Sequence, residues 1–275
     1  MENLAPARVP IRGFRSRSQS PNYDVTMPNS APHFPDAALE WLVGDDGNNE
    51  VLTLSPAAGL PRKLARRGHH VWCIDKDPAR LQQMGAAPGL ATVAARAEAL
   101  PFAPCQFDLV LAHQIIHELA PGIAFGELAR VLRPNGWVGV SYLTRDDSVP
   151  WVRRLMALMR SIDPEAMSAD LGTGVTKQLV ASKYFPHHEQ RDFRIWIPVT
   201  RERLVTMTSR HRALASLPDR EREQVLRAVG AIYDGAAAGS ELRLPYQLSC
   251  WRAYVDHSEM TTPIVIGDDA LVIPL

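Results

Sequence analysis

Between residues 50 and 143 short apolar runs alternate with short amphipathic ones, and this alternation restricts the fold more than anything else in the chain. Glu50–Leu54 reads as a strand and Leu60–Arg67 as a helix with Pro61 in its first turn. Arg66 and Arg67 suit the negative end of that helix, and Gly68 ends it. His70–Asp75 is a second strand, Pro78–Met84 a second helix and Ala91–Ala95 a third strand. Phe107–Ala112 ("FDLVLA") is apolar on both faces, as a central parallel strand requires. Phe125–Leu132 is a helix stopped by Pro134 and Gly136, and Trp137–Leu143 a fifth strand. Such a sequence of elements predicts an α/β fold: a doubly wound, mostly parallel sheet with helices on both faces. Ligands of such sheets sit at the carboxyl ends of the strands, near the point where strand order reverses.

The flanks read differently. Residues 1–34 are rich in Pro, Ser, Arg and Asn without a sustained period, which predicts a flexible arm. A short helix follows over Asp36–Leu42, with Pro35-Asp36 as its stop and cap. Residues 35–257 are expected to form one domain, with 147–190 as an insertion or cap, and 258–275 a tail. Within it Val152–Ile162 is helical, 164–188 irregular, Phe193–Ile197 a strand, and Thr200–Ser209 and Asp219–Tyr233 helices. Leu242–Tyr254 is mostly strand, and an antiparallel pair at the sheet edge suits the last two strands.

Composition narrows the function. Of 275 residues, 46% are apolar, enough for a substantial core, and the formal net charge is zero. That balance argues against broad electrostatic binding of nucleic acid. Cys73, Cys105 and Cys250 are widely spaced and form no C-x-x-C, as in a reduced, cytoplasmic protein without a metal knuckle. No apolar run approaches the roughly 18 residues of a membrane span. The arginines at 8, 12, 15 and 17 have no hydrophobic stretch behind them, unlike a secretory signal.

The stretch "LTLSPAAGLPRKL", residues 52–64, lies where α/β proteins often carry a glycine-rich loop, yet it holds one glycine, Gly59. It lacks the G-x-G-x-x-G that would cradle a dinucleotide pyrophosphate. Together with "VWCIDKDPARL", "AEALPFAPCQFDLVLA" and "ELARVLRPNGWVGV", it resembles the successive motifs of class I S-adenosylmethionine-dependent methyltransferases, the type 11 (ubiquinone/menaquinone-methylase-like) group. The likeness spans about residues 35–255 and implies a Rossmann-like sheet. It also implies a donor site at Thr53, Ser55, Ala57, Gly59, Asp75, Lys76, Arg96, Ala97 and His113. Where the family reads D/E-x-G-x-G-x-G, this chain has Thr53, Ser55, Ala57 and Gly59. S-adenosylmethionine carries no pyrophosphate, so small residues are tolerable there. Asp75 takes the place of the acidic residue that accepts hydrogen bonds from the ribose hydroxyls; its plainer reading is a turn or cap aspartate before Pro78. Arg96 replaces an aspartate near the adenine amine, and arginine accepts no hydrogen bond. Glu98 reads as a surface residue.

Three readings of His113 and His117, in "HQIIHELAP", stay open: general base for an acceptor hydroxyl, half of a metal site without a third ligand, or packing at the pocket wall. Arg145, Asp146 and Asp147 either shape the acceptor pocket or cap the next helix. Trp151, Trp196 and Tyr246 line an acceptor cleft or belong to the core, and His187-His188 fall in the irregular stretch. Tyr23 and Asp24 match a family Tyr-Asp, while Ala31-Pro32 stands where an Arg-Pro pair is frequent. Two functions follow. One is methyl transfer from S-adenosylmethionine to a small-molecule acceptor. The other is a methyltransferase-like protein without turnover, acting as a partner-binding or regulatory subunit. A protein partner or a homodimer is compatible with both. Donor binding separates them.

Overall fold

The computed structural model describes residues 34–44, 47–163, 173–237 and 241–261. In chain order its elements are α1 (Asp36–Val43), β1 (Glu50–Thr53), α2 (Leu60–Arg66), β2 (His70–Asp75), α3 (Pro78–Met84), β3 (Leu90–Ala94), β4 (Phe107–His113), α4 (Pro121–Val131) and β5 (Leu132–Arg145). Then come α5 (Pro150–Ile162), α6 (Thr173–Val180), β6 (His187–Val199), α7 (Arg201–Ser209), α8 (Arg212–Ala215), α9 (Asp219–Ala237), β7 (Leu242–Tyr254) and α10 (Ser258–Thr261). The strands form one sheet in the order β3-β2-β1-β4-β5-β7-β6. The first five are parallel; β7 runs antiparallel to β5, and β6 antiparallel to β7. Strand order reverses between β1 and β4, so the ligand crevice of such a sheet opens over their carboxyl ends.

Alternation along β4 builds both faces. Val110 and Ala112 join Phe125 and Leu128 of α4 in one core, while Leu109 and Leu111 join Leu39, Leu42, Leu60 and Leu64 of α1 and α2 in another. A third cluster gathers Val152, Met156, Leu204 and Val229 of α5, α7 and α9 with Leu244 and Tyr246 of β7. Trp151 belongs to this core as well, whereas Trp196 is 44% exposed beneath the Arg194 guanidinium. Asp36 does not cap α1. It is the first helical residue and pairs with Lys63 of α2 and with Arg67 just after that helix, at 2.8 and 2.7 Å.

Several stretches depart from the sequence reading; α9, for one, runs on to Ala237, and α8 has no counterpart in it. The α4 helix starts at Pro121, a residue that suits a first turn, rather than at Phe125. Strand β5 begins at Leu132, ahead of Pro134, because the ladder to β4 shifts register between Phe107 and Leu109. A proline without a donor is tolerated at such an irregularity. Helix α6 falls inside the stretch expected to be irregular. Its sequence, TGVTKQLV, is poor in helix formers, and the packing of buried Thr176 and Leu179 decides it. Strand β6 starts at His187, six residues before the expected Phe193, so His187 and His188 are exposed strand residues. Residues 187–192 are polar on both faces; pairing with β7 alone makes them a strand. The arm before Phe34, the tail beyond Thr261, and Tyr23, Asp24 and Ala31-Pro32 lie outside the described residues.

Candidate functional site

At the carboxyl end of β1 the chain builds a loop from its own small side chains. Thr53 is buried, and its hydroxyl donates to the Trp72 carbonyl on β2 at 3.3 Å. The Ser55 hydroxyl accepts the Ala57 N–H at 3.0 Å, a side-chain turn that leads into the 3-10 turn Ala57–Gly59. Gly59 then enters α2 with φ of +63°, and nothing lies within 4 Å of where its Cβ would stand. The single retained glycine therefore sits at a left-handed position, which any other residue would occupy with strain. Ser55→Ala is expected to lower stability by about 1 kcal/mol through the lost turn bond, read as a shifted urea midpoint. An unchanged midpoint removes that bond from the loop's support.

Asp75, at the end of β2, is 4% exposed. Its Oδ1 accepts the Asp77 N–H at 2.9 Å. Its Oδ2 lies 3.1 Å from Nη1 of Arg80, an ion pair whose angles miss hydrogen-bond geometry, so Oδ2 is buried without a donor. The capping role before Pro78 belongs to Asp77, whose carboxylate accepts the Ala79 N–H at 2.9 Å. Beside it Lys76 pairs with Glu118 at 3.1 Å, linking the end of β2 to the loop after β4.

After β3, Arg96 is 65% exposed and pairs with Glu98 at 3.3 Å. Glu98 is not the surface residue expected: it is largely covered, and its second oxygen accepts the Ala120 N–H ahead of α4. Ala97 is buried. The following Leu100-Pro101-Phe102 is fastened to α4. Arg130 donates to the carbonyls of Leu100 and Phe102, and Glu127 accepts the Leu100 N–H at 2.9 Å. The charge-assisted bonds to Arg130 hold the Glu127 carboxyl below its usual range.

His113 closes β4. It is buried, with Nδ1 2.9 Å from the Ser141 hydroxyl of β5 and the edge of the Phe34 ring against it at 5.3 Å. Phe34 is held there by Lys63, whose ammonium donates to its carbonyl at 2.5 Å. Burial pushes the His113 imidazole down to about 4, so it is neutral near pH 7. The left-handed Gln114 then turns the chain (φ +57°) into the 3-10 turn Ile116–Glu118. There the Tyr142 oxygen accepts the His117 N–H at 3.2 Å and lies 2.7 Å from His117 Nδ1. Because that oxygen already accepts, and burial holds the phenol protonated, its own O–H points to Nδ1. Burial also lowers the His117 pKa, against the opposing pull of Glu118. With the Tyr142 O–H donating to Nδ1, the His117 tautomer that fits carries its proton on Nε2.

The two histidines do not share a helix face, and among the described residues no group of three or more His, Cys, Asp or Glu is arranged to hold a metal ion. Asp146 accepts the Ser148 N–H at 2.9 Å and pairs with Arg194 of β6, while the position capping α5 is Val149. The structure thus brings together the ends of β1, β2 and β4 with Ala97. Arg80, Ser141 and Tyr142 are contributors the sequence did not single out. The signal for Ser141-Tyr142 was their place near the carboxyl end of β5. No helix among the described residues is long and apolar enough to cross a membrane.

The chain is similar to known proteins in sequence and in fold. Residues 56–140 match the sequence family described as a methyltransferase domain. Over 228 residues the chain is 29% identical to an uncharacterized methyltransferase of Mycobacterium tuberculosis, covering 81% of this chain and 89% of that one. It is 28% identical over 208 residues to an uncharacterized methyltransferase-like protein of Schizosaccharomyces pombe, covering 70% and 77%. In fold it is similar to a type II methyltransferase structure from Anaeromyxobacter dehalogenans, with a TM-score of 0.63 at 18% identity over 81% of this chain and 97% of that chain.

Proposed function

We propose that this protein is a class I methyltransferase that transfers a methyl group from S-adenosylmethionine to a small-molecule acceptor. The observation that carries the reading is Asp75 Oδ2: a buried carboxylate oxygen without a donor, at the carboxyl end of β2. Arg80 balances its charge and leaves its hydrogen-bonding capacity unfilled, and ribose hydroxyls are suitable donors. The open space over Gly59 and the small Ser55 and Ala57 fit a ligand that approaches backbone closely.

The donor, when bound, supplies an already activated methyl group on a sulfonium, so the protein chiefly positions and desolvates. In this reading Asp75 holds the ribose, with Thr53 supporting the β1–β2 edge from behind. Ser55, Ala57 and Gly59 shape the floor. Ala97 offers backbone to the adenine, between Lys76 and Arg96. The neutral His113 borders the methionine part; an imidazolium there would repel a cationic sulfur, and its burial prevents one. His117 donates from Nε2 toward an acceptor oxygen. The domain spans 35–257, and the described helices of the 147–190 insertion, α5 and α6, are assigned to the acceptor side. The free thiols of Cys73, Cys105 and Cys250 support a reducing, cytoplasmic setting.

Calorimetric titration with S-adenosylmethionine and S-adenosylhomocysteine tests the reading. Micromolar binding is expected. No heat and no thermal shift at millimolar ligand sink it. Arg96→Ala is expected to change donor affinity by less than about 0.5 kcal/mol, because Arg96 is exposed and tied to Glu98. A larger loss places the guanidinium against the adenine.

A further inference from the structure

We propose that two copies of this chain join edge to edge through β6, antiparallel and centred on Gln190. Strand β6 ends the sheet and pairs on one side only, with β7, in an unbroken register from His187 to Val199. Its first half, residues 187–192, is exposed throughout, whereas exposure alternates from Phe193 onward. An edge of this kind offers a row of backbone donors and acceptors to another strand. The edge's proline, Pro198, lies at the far end, and Arg194 is engaged by Asp146 and by the Trp196 ring. The charges of Glu189, Arg191 and Asp192 guard this half against an arbitrary strand, so a partner must match them in sign.

The charges name the occupant. About Gln190 the sequence His188-Glu189-Gln190-Arg191-Asp192 is antisymmetric. In an antiparallel pair related by a twofold axis, side chains directly opposite must lie on the same face, so the axis passes through a residue. Centred on Gln190, Glu189 stands opposite Arg191 of the partner subunit, and His188 opposite Asp192 of the partner subunit. Each contact occurs twice. Centring on Glu189, Arg191 or Asp192 instead sets that charge against its own copy, which is unfavourable. The favoured register uses residues 187–193, that is, the exposed half 187–192 together with the half-buried Phe193. The result is one sheet continuing across both copies. The crevice between β1 and β4 stays clear of the contact, since β5 and β7 intervene.

Sedimentation equilibrium of the full chain, over a range of micromolar concentrations, tests this. The expected result is a reversible monomer–dimer equilibrium. Glu189→Arg alone and Arg191→Glu alone each place like charges opposite one another and weaken association by about tenfold. The double reversal, Glu189→Arg with Arg191→Glu, restores it. Circular dichroism and thermal melting confirm that each variant is folded. A wild type that stays monomeric at every concentration overturns the proposal. So does a dimer indifferent to both single reversals, or one that the double reversal fails to restore.

Discussion

Asp75→Ala weakens binding of S-adenosylhomocysteine by about 1–3 kcal/mol, roughly 5- to 150-fold, in a calorimetric titration. The expectation rests on the two oxygens of one carboxylate having different fates. Oδ1 is committed to the Asp77 N–H, and Oδ2 is sealed from water without a donor. Arg80 compensates its charge but leaves its hydrogen-bonding capacity unfilled. A ligand hydroxyl that fills it gains an interaction with an ionised acceptor, stronger than one between neutral groups. Asp77→Ala is the matched control, since it removes the cap of α3 and lowers stability by about 1 kcal/mol while leaving Oδ2 in place. Unchanged affinity in Asp75→Ala, with a folded protein, takes Asp75 out of the binding site.

The second large effect is on acid stability. His113 titrates near 4 in the folded protein and near 6.5 unfolded. Between those values the unfolded chain binds the extra proton, so folding stability falls as pH drops from 6.5 toward 4. The stability lost across that window is on the order of 3 kcal/mol. His69, His117 and His211 are shifted in the same direction by burial and add to the slope. Urea unfolding of wild type and His113→Gln, compared at neutral pH and near pH 4.5, isolates the His113 share. The variant is expected to show a distinctly flatter dependence. Equal slopes mean that His113 is solvated enough to charge in place.

Much of this architecture was legible because the relevant elements carry their own periodicity. The bounds of β2, α3 and β7 follow from apolar runs and from Pro78 and Gly85 at helix ends. Strand β4 announced itself as central through apolar residues on both faces. Where tertiary contacts override local preference, the sequence is silent. Gly174, Val175 and Thr176 argue against α6, yet burial of Thr176 and Leu179 makes it a helix. The exposed half of β6 has no alternation to read, because neither of its faces meets a core. At the site, Asp75 was identifiable by position alone. That its second oxygen lacks a donor required Asp77 to be seen capping α3 in its stead. The roles of His113 and His117 depended on Ser141 and Tyr142, 28 and 25 residues away, a distance no local pattern spans.

The separate cluster of α5, α7 and α9 against β7 bears on how such a protein changes over generations. It shares no buried residue with the two cores that grip β1, β2 and β4, and only the half-buried Leu143 and Ile195 border both it and one of them, so effects of substitutions away from that border tend to add rather than compound. A lineage can remodel the helical lobe away from Leu143 and Ile195 with little penalty to the half that the donor is proposed to occupy. Inheritance of the one and drift of the other then proceed almost independently.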